Sequence, residues 1–166
     1  MALLSETIMI QYFKDGFGIY LPISFINTTT SVGIVNRVSI ELIKLGTSKV
    51  KYLIRWNNFR KYNNATNKWE FEDLCYHLPV DGKKGITKMI WFDWFLNSVD
   101  IWEEGKYSIK AIIWTNGYSK ITYSKNYNFT LTEKHASILQ QRKKEEDSKL
   151  LEVGIENFME KNILSH

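Results

Sequence analysis

From Thr7 to Leu131 apolar and polar residues alternate with a period of two, interrupted at short intervals by turn residues. That is the pattern of antiparallel strands burying one face. Ile8 to Phe13 runs into Lys14-Asp15-Gly16-Phe17-Gly18 and Ile19 to Asn27 runs back, with Asp-Gly supplying the positive φ a tight hairpin needs. Leu21, Ile23 and Phe25 share a face, and Pro22 removes a ladder donor, so the strand is expected to lie at an edge or be irregular there. After a polar turn at 28–33, Ile34, Val38, Ile40 and Leu42 read as inward against Arg37, Ser39 and Glu41, with Asn36 misplaced on the inner side.

Lys49 to Trp56 puts Val50, Tyr52, Ile54 and Trp56 on one face and Lys51 and Arg55 on the other. The Asn-rich stretch 57–68 reads as an exposed loop. Trp69 to His77, Ile86 to Phe95, Tyr107 to Ile113 and Tyr127 to Leu131 are further strands, and Asn116-Gly117 marks a hairpin turn. Roughly seven or eight short strands without intervening helices predict an all-β domain, an antiparallel sandwich of two sheets or a barrel.

Beyond Thr132 the period changes. Glu133 to Lys149 is polar with mixed charge and good helix formers, which predicts a solvated helix or linker. Leu150, Leu151, Ile155, Phe158 and Met159 then fall near one face of an amphipathic C-terminal helix, which Gly154 weakens. The chain thus divides into a β domain at 1–132 and a helical tail at 133–166.

Composition agrees with a β-rich core: 44% of residues are hydrophobic and 14% aromatic, enough apolar surface for a folded domain of 166 residues. The single cysteine, Cys75, excludes an internal disulfide. A formal charge of +4 is compatible with a polyanionic partner without requiring one. No segment has the apolar length of a membrane span, so the chain reads as soluble and cytoplasmic by default, or as membrane-tethered if an upstream anchor is missing. The sequons at Asn27, Asn64 and Asn128 would suit an exported chain, but arise readily by chance in so Asn- and Thr-rich a sequence.

Gly105-Lys106-Tyr107-Ser108-Ile109-Lys110-Ala111, entering a late strand from an acidic turn, resembles the tyrosine corner of immunoglobulin-like and fibronectin type III-like sandwiches. Leu21 to Asn27 followed by Gly33 to Val38 resembles small immunoglobulin-like domains of uncharacterised prokaryotic proteins, which are often held by an N-terminal membrane helix. The resemblance implies an immunoglobulin-like two-sheet sandwich over residues 7–132 with a binding or structural role, lacks the paired cysteines of antibody domains, and transfers no active site.

The candidate chemistry is sparse. Between Leu42 and Trp69 there is no acid, whereas Lys49, Lys51, Arg55, Arg60 and Lys61 are interleaved with Trp56 and Phe59. Cations for phosphates beside rings for base stacking suit single-stranded nucleic acid; the plainer reading has the rings in the core and the cations on a solvated face. Cys75 and His77 are too few for a metal site, and Asp93, Asp100, Glu103 and Glu104 fit turn chemistry better than paired-acid hydrolysis or a calcium loop. The expectation is a non-enzymatic binding or assembly module without cofactor or metal. Its protein partner or second copy would dock on Leu151, Ile155, Phe158 and Met159, with nucleic acid on the 44–68 stretch as the alternative.

Overall fold

The computed structural model describes residues 2–4, 6–46, 51–95, 101–117 and 119–156, the first three as backbone only. The elements are β1 (Ala2–Leu4), β2 (Thr7–Phe13), β3 (Gly16–Ile26), β4 (Gly33–Lys44), β5 (Lys51–Asn63), β6 (Lys68–Leu74), β7 (Leu78–Val80), β8 (Gly85–Phe95), β9 (Gly105–Thr115), β10 (Ile121–Leu131), α1 (Glu133–Glu145) and β11 (Leu151–Gly154). They form one antiparallel sheet of eleven strands curled into a half-barrel, in the order β10-β9-β4-β5-β8-β3-β2-β11, with β1 added to β3, β6 to β5 and β7 to β4.

This arrangement corrects the immunoglobulin-like sandwich. A sandwich needs two sheets packed face to face, whereas here an unbroken hydrogen-bonded path joins one edge to the other. β5 makes the join. Its first half pairs with β4, from Ser39 opposite Arg55 to Ile43 opposite Lys51. Its second half pairs with β8 through Trp56, Asn58, Phe59 and Arg60, after a register shift between Trp56 and Asn58. A bulge of this kind bends a strand and raises its twist, so the sheet turns inward without being cut. The Asn-rich stretch is therefore not a loop: it carries β5 to Asn63 and turns at 64–67 into β6.

The concave face holds the core. Ile10 and Tyr12, Ile19 and Leu21, Ile40 and Leu42, Ile90 and Phe92, Ile109 and Ile113, and Phe129 all point into it. Pro22 falls between the segments of β3 paired with β1 and with β2, where the ladder on that flank is interrupted. On the convex face Gly18 lets the Trp91 indole lie against the backbone; a Cβ there would stand 2.4 Å from Trp91 Nε1.

The tail departs from expectation in a second way. Leu151-Glu152-Val153-Gly154 is a strand paired with Thr7–Ile10 of β2, not part of a helix. Val153 and Ile155 are buried in the core, and alternation at 151, 153 and 155 suits a strand whose partner edge needs covering. Thr132 caps α1, its hydroxyl accepting from the His135 N–H while its own N–H donates to His135 Nδ1. α1 then buries Leu139, donates from Gln140 to the Trp102 carbonyl at 3.4 Å and from Lys143 Nζ to the Tyr12 hydroxyl at 3.1 Å. The two edges of the sheet approach each other where the Thr130 hydroxyl donates to the Glu156 carboxylate. Among the described residues no helix is long and apolar enough to cross a membrane.

Candidate functional site

One end of the half-barrel is closed by aromatic rings. Phe17 meets Trp102 edge-on at 5.2 Å, Trp102 lies 5.5 Å from Tyr107, and Tyr107 stacks on Phe129 at 5.3 Å. The Tyr107 hydroxyl donates to the Ile101 carbonyl at 2.6 Å, with the Glu103 carbonyl at 2.8 Å, and accepts from the Glu103 N–H at 3.0 Å. The tyrosine-corner hydrogen bond is thus present as a local device, but in a curled single sheet, so it does not carry the sandwich with it. Burial first of all pushes the Tyr107 phenol up to about 12.

The other end is open, and its mouth leads into a cavity of about 460 Å³. Phe25, Val35, Val80, Ile113 and Tyr123 contribute its apolar walls, and Asn27, Thr29, Ser31, Thr115, Asn116 and Thr122 its polar groups. The rim is built. Asn27 Nδ2 donates to the Ser31 carbonyl at 2.7 Å and to the Val80 carbonyl at 2.9 Å, while its Oδ1 accepts from the Thr29 N–H at 3.0 Å. Across the mouth, the Asn116 N–H donates to the Ile34 carbonyl at 2.9 Å, and the Thr115 N–H donates to Thr122 Oγ1 at 3.1 Å. Val32 and Ile34 remain exposed beside it. No residue lining the cavity carries an acid or base of the aspartate, glutamate, lysine, arginine or histidine type.

A second recess, of about 360 Å³, opens at the seam where β5 passes from β4 to β8, and is lined by Asn36, Arg37, Arg55, Trp56, Cys75, Tyr76 and His77. A register shift between Val35 and Arg37 bulges Asn36 out of the ladder, which accounts for its misplaced position in the alternation. The Gly117 N–H donates to Asn36 Oδ1 at 2.6 Å, so the amide turns its NH2 to His77 Nδ1 at 3.0 Å. Arg37 stacks on Trp114, 3.8 Å from the ring centroid. Arg55 is exposed and makes no ion pair among the described residues. Burial, and after it the charge of Asp73, pushes the Cys75 thiol up to about 12, so it is a protonated wall of the recess rather than a nucleophile.

The basic and aromatic stretch is divided by this geometry. Phe59 is 5% exposed in the core, and Trp56 packs edge-on against it at 5.8 Å. Lys51 reaches Glu41 at 3.7 Å, Arg60 lies 4.5 Å from the Trp91 ring, and Lys61 stands opposite Glu70. Only Arg55 and Trp56 of that set line the seam, while Lys49 lies outside the described residues. Of the tail set, Leu151 packs against the core and Ile155 is buried in it, while Phe158 and Met159 lie outside the described residues. Of the carboxylates, Glu103 holds Lys44 at 2.6 Å, Asp93 accepts from Asn57 at 2.6 Å, Glu103 and Glu104 both line a recess beside α1, and Asp100 lies outside the described residues. Among the described residues no group of His, Cys, Asp and Glu is arranged to hold a metal.

Sequence reasoning missed both recesses, because their walls come from strands far apart in the chain. The signals were the polar run 28–33 between two apolar strands, and the misplaced Asn36. No protein-family model and no curated protein matches the sequence. Among solved structures, a protein from Archaeoglobus fulgidus is similar at 10% identity and a TM-score of 0.43, over 78% of this chain and 98% of that one. A family 123 glycoside hydrolase from Clostridium perfringens is similar at 16% identity and a TM-score of 0.33, over 73% of this chain and 22% of the hydrolase. Both likenesses are too distant to carry an argument about this chain.

Proposed function

We propose that this protein is a non-enzymatic binding module that holds an uncharged, largely apolar small molecule in the mouth of the half-barrel. The observation that carries the reading is the cavity of about 460 Å³, apolar in its walls and lined at its rim by hydroxyls and amides. Small-molecule sites commonly span about 300–1,000 Å³ and pair apolar walls with a few fixed polar groups, and barrel mouths are among their usual positions. The polar groups at the rim are held by the Asn27 and Asn116 hydrogen bonds, so a ligand meets a largely preformed entrance. Apolar surface removed from water supplies roughly 25 cal/mol per Å², and the hydroxyls orient whatever polar end the ligand has.

Titration of the full chain with the neutral fluorophore Nile red tests the reading. Saturable uptake is expected, lost on filling the cavity with Val35→Phe and on screening the mouth with Ser31→Trp. Absence of saturable uptake, or uptake unchanged in both variants while their melting curves match the parent, overturns it.

A further inference from the structure

We propose that the outer face of the half-barrel, where β3, β8, β5 and β6 run side by side, binds an acidic polysaccharide, with its sugar rings stacked on aromatic side chains and a uronate carboxylate held by Arg60. Register brings the residues together. Trp91 stands opposite Tyr20, Phe71 opposite Arg60, and Trp69 opposite Tyr62. The Arg60 guanidinium carbon lies 4.5 Å from the Trp91 ring centroid and 5.9 Å from that of Tyr20. Opposed residues share a face, as do residues two apart on a strand, so all six lie on the convex side. Tyr62 and Trp69 meet edge-on at 5.4 Å, and Phe71 and Tyr62 are 54% and 47% exposed. Contiguous exposed rings of this kind mark a binding face.

Charge decides the occupant. Among the described residues Arg60 makes no hydrogen bond or ion pair; its Nε is covered, and the guanidinium rests on rings alone. The acids of β6 belong to the other face: Glu70 stands opposite Lys61, Asp73 opposite the core residue Phe59, and Glu72 holds Lys88 at 2.7 Å. On β8, Asp93 lies two residues beyond Trp91 on the convex side, but it accepts from Asn57 at 2.6 Å. The face thus offers one positive charge fixed among rings. A carboxylate is met there by paired guanidinium N–H donors, which are among the strong hydrogen bonds. Because the guanidinium is already stacked, it loses little side-chain freedom on binding.

Other occupants fit less well. A nucleic acid needs cations for several phosphates, and this face has one. A second copy packed here about a two-fold axis would bring Arg60 towards its mate with no free acid to meet either. A sugar chain satisfies both conditions, because the C–H face of each ring is apolar, the hydroxyls stay in water, and single sugars along the chain can carry a carboxylate. Trp91 and Phe71 are two strands apart, about 10 Å. Arg60 is on the strand between them, so rings flank the charge on both sides. The face lies outside the mouth, and Nile red uptake and polysaccharide binding can fail separately.

The test is calorimetric titration of the full chain with a short hyaluronan oligosaccharide, in which carboxylate-bearing and neutral sugars alternate. Saturable binding is expected, weaker by about tenfold or more for the same oligosaccharide with its carboxylates reduced to hydroxymethyl groups. Arg60→Gln should abolish that difference between the two oligosaccharides. Phe71→Ala, at an exposed ring, should weaken both by about tenfold. Leu53→Ala, on the half of β5 paired with β4, should change neither, and both alanine variants should melt with the parent. Absence of saturable binding, equal binding of the two oligosaccharides by the parent, or indifference to Phe71→Ala overturns the proposal. An oligothymidylate that binds more tightly than hyaluronan and depends on Phe71 also overturns it, in favour of a nucleic-acid surface. Self-association of the parent that Phe71→Ala removes overturns it in favour of a second copy.

Discussion

The two ends of the half-barrel are built from the same strands and end differently. At the closed end β3, β9 and β10 contribute Phe17, Tyr107 and Phe129, and the chain before β9 adds Trp102, fully buried beneath α1. At the mouth the inward positions of the same strands are Phe25, Ile113 and Tyr123, joined by Val35 and Val80. Several large rings span the width of the curl, whereas walls made chiefly of short branched chains cannot, and the space they leave is the cavity. The comparison teaches that the recess is a consequence of side-chain size along otherwise equivalent rows. Residues at the closed end fill the core, and those at the mouth leave a space beside it.

The largest break in that comparison is to remove the cover of the closed end. A chain ending at Thr132 loses Leu139, Val153 and Ile155 from the core. Each buried aliphatic contributes about 1.5–3 kcal/mol. Their sum is comparable with the whole stability of a small domain, about 5–15 kcal/mol. Cooperative thermal unfolding is expected to be lost in that chain, and a calorimetric melt checks it.

Trp102→Ala should cost about 3–5 kcal/mol by denaturant titration, since it empties the centre of the aromatic plug. Tyr107→Phe should cost about 1–3 kcal/mol, because the Glu103 N–H and the Ile101 carbonyl lose their shared partner. It should also change the alkaline limb. The native phenol sits at about 12 against an ordinary 10.0, so above pH 10 the unfolded chain releases this proton before the native one does. Stability therefore falls as pH rises from about 10 towards 12, and the variant should lack that share of the fall.

At the mouth the expected effects are smallest. Ile113→Phe grows into open space and should stay within about 1 kcal/mol of the parent, where overpacking a filled core costs about 1–3 kcal/mol. A loss at the mouth as large as that of Trp102→Ala would abolish the distinction between the ends.

Much of the strand content was legible because alternation reports burial of one face directly. Ile8 to Phe13, Leu21 to Phe25 and Tyr107 to Ile113 are strands, and Leu21, Ile23 and Phe25 share a buried face as expected. Two sheets facing each other and one sheet curling on itself produce the same alternation, so the resemblance to a sandwich could not be checked from pattern alone. The Asn-rich half of β5 lacked apolar periodicity because bulges shift its register, between Trp56 and Asn58 against β8 and between Phe59 and Arg60 against β6. Leu151 to Ile155 satisfies a helical face and a strand face equally well, and the unpaired edge of β2 decided between them. Of the candidate residues, Arg55 was visible as an exposed cation, but its companions Arg37, Asn36, Tyr76 and His77 lie on β4 and beyond β6.

By itself the sequence determined that most of the stretch from Thr7 to Leu131 extends and that its alternating segments bury one face, because these are matters of local periodicity and side-chain chemistry. Tertiary structure alone decided that the strands form one curled sheet, that its rings gather at one end and leave a cavity at the other, and that residues of β4, β5 and the segment after β6 line one recess at the bend. Those outcomes depend on register across strands and on the summed widths of side chains facing one another, quantities that no single stretch of chain contains.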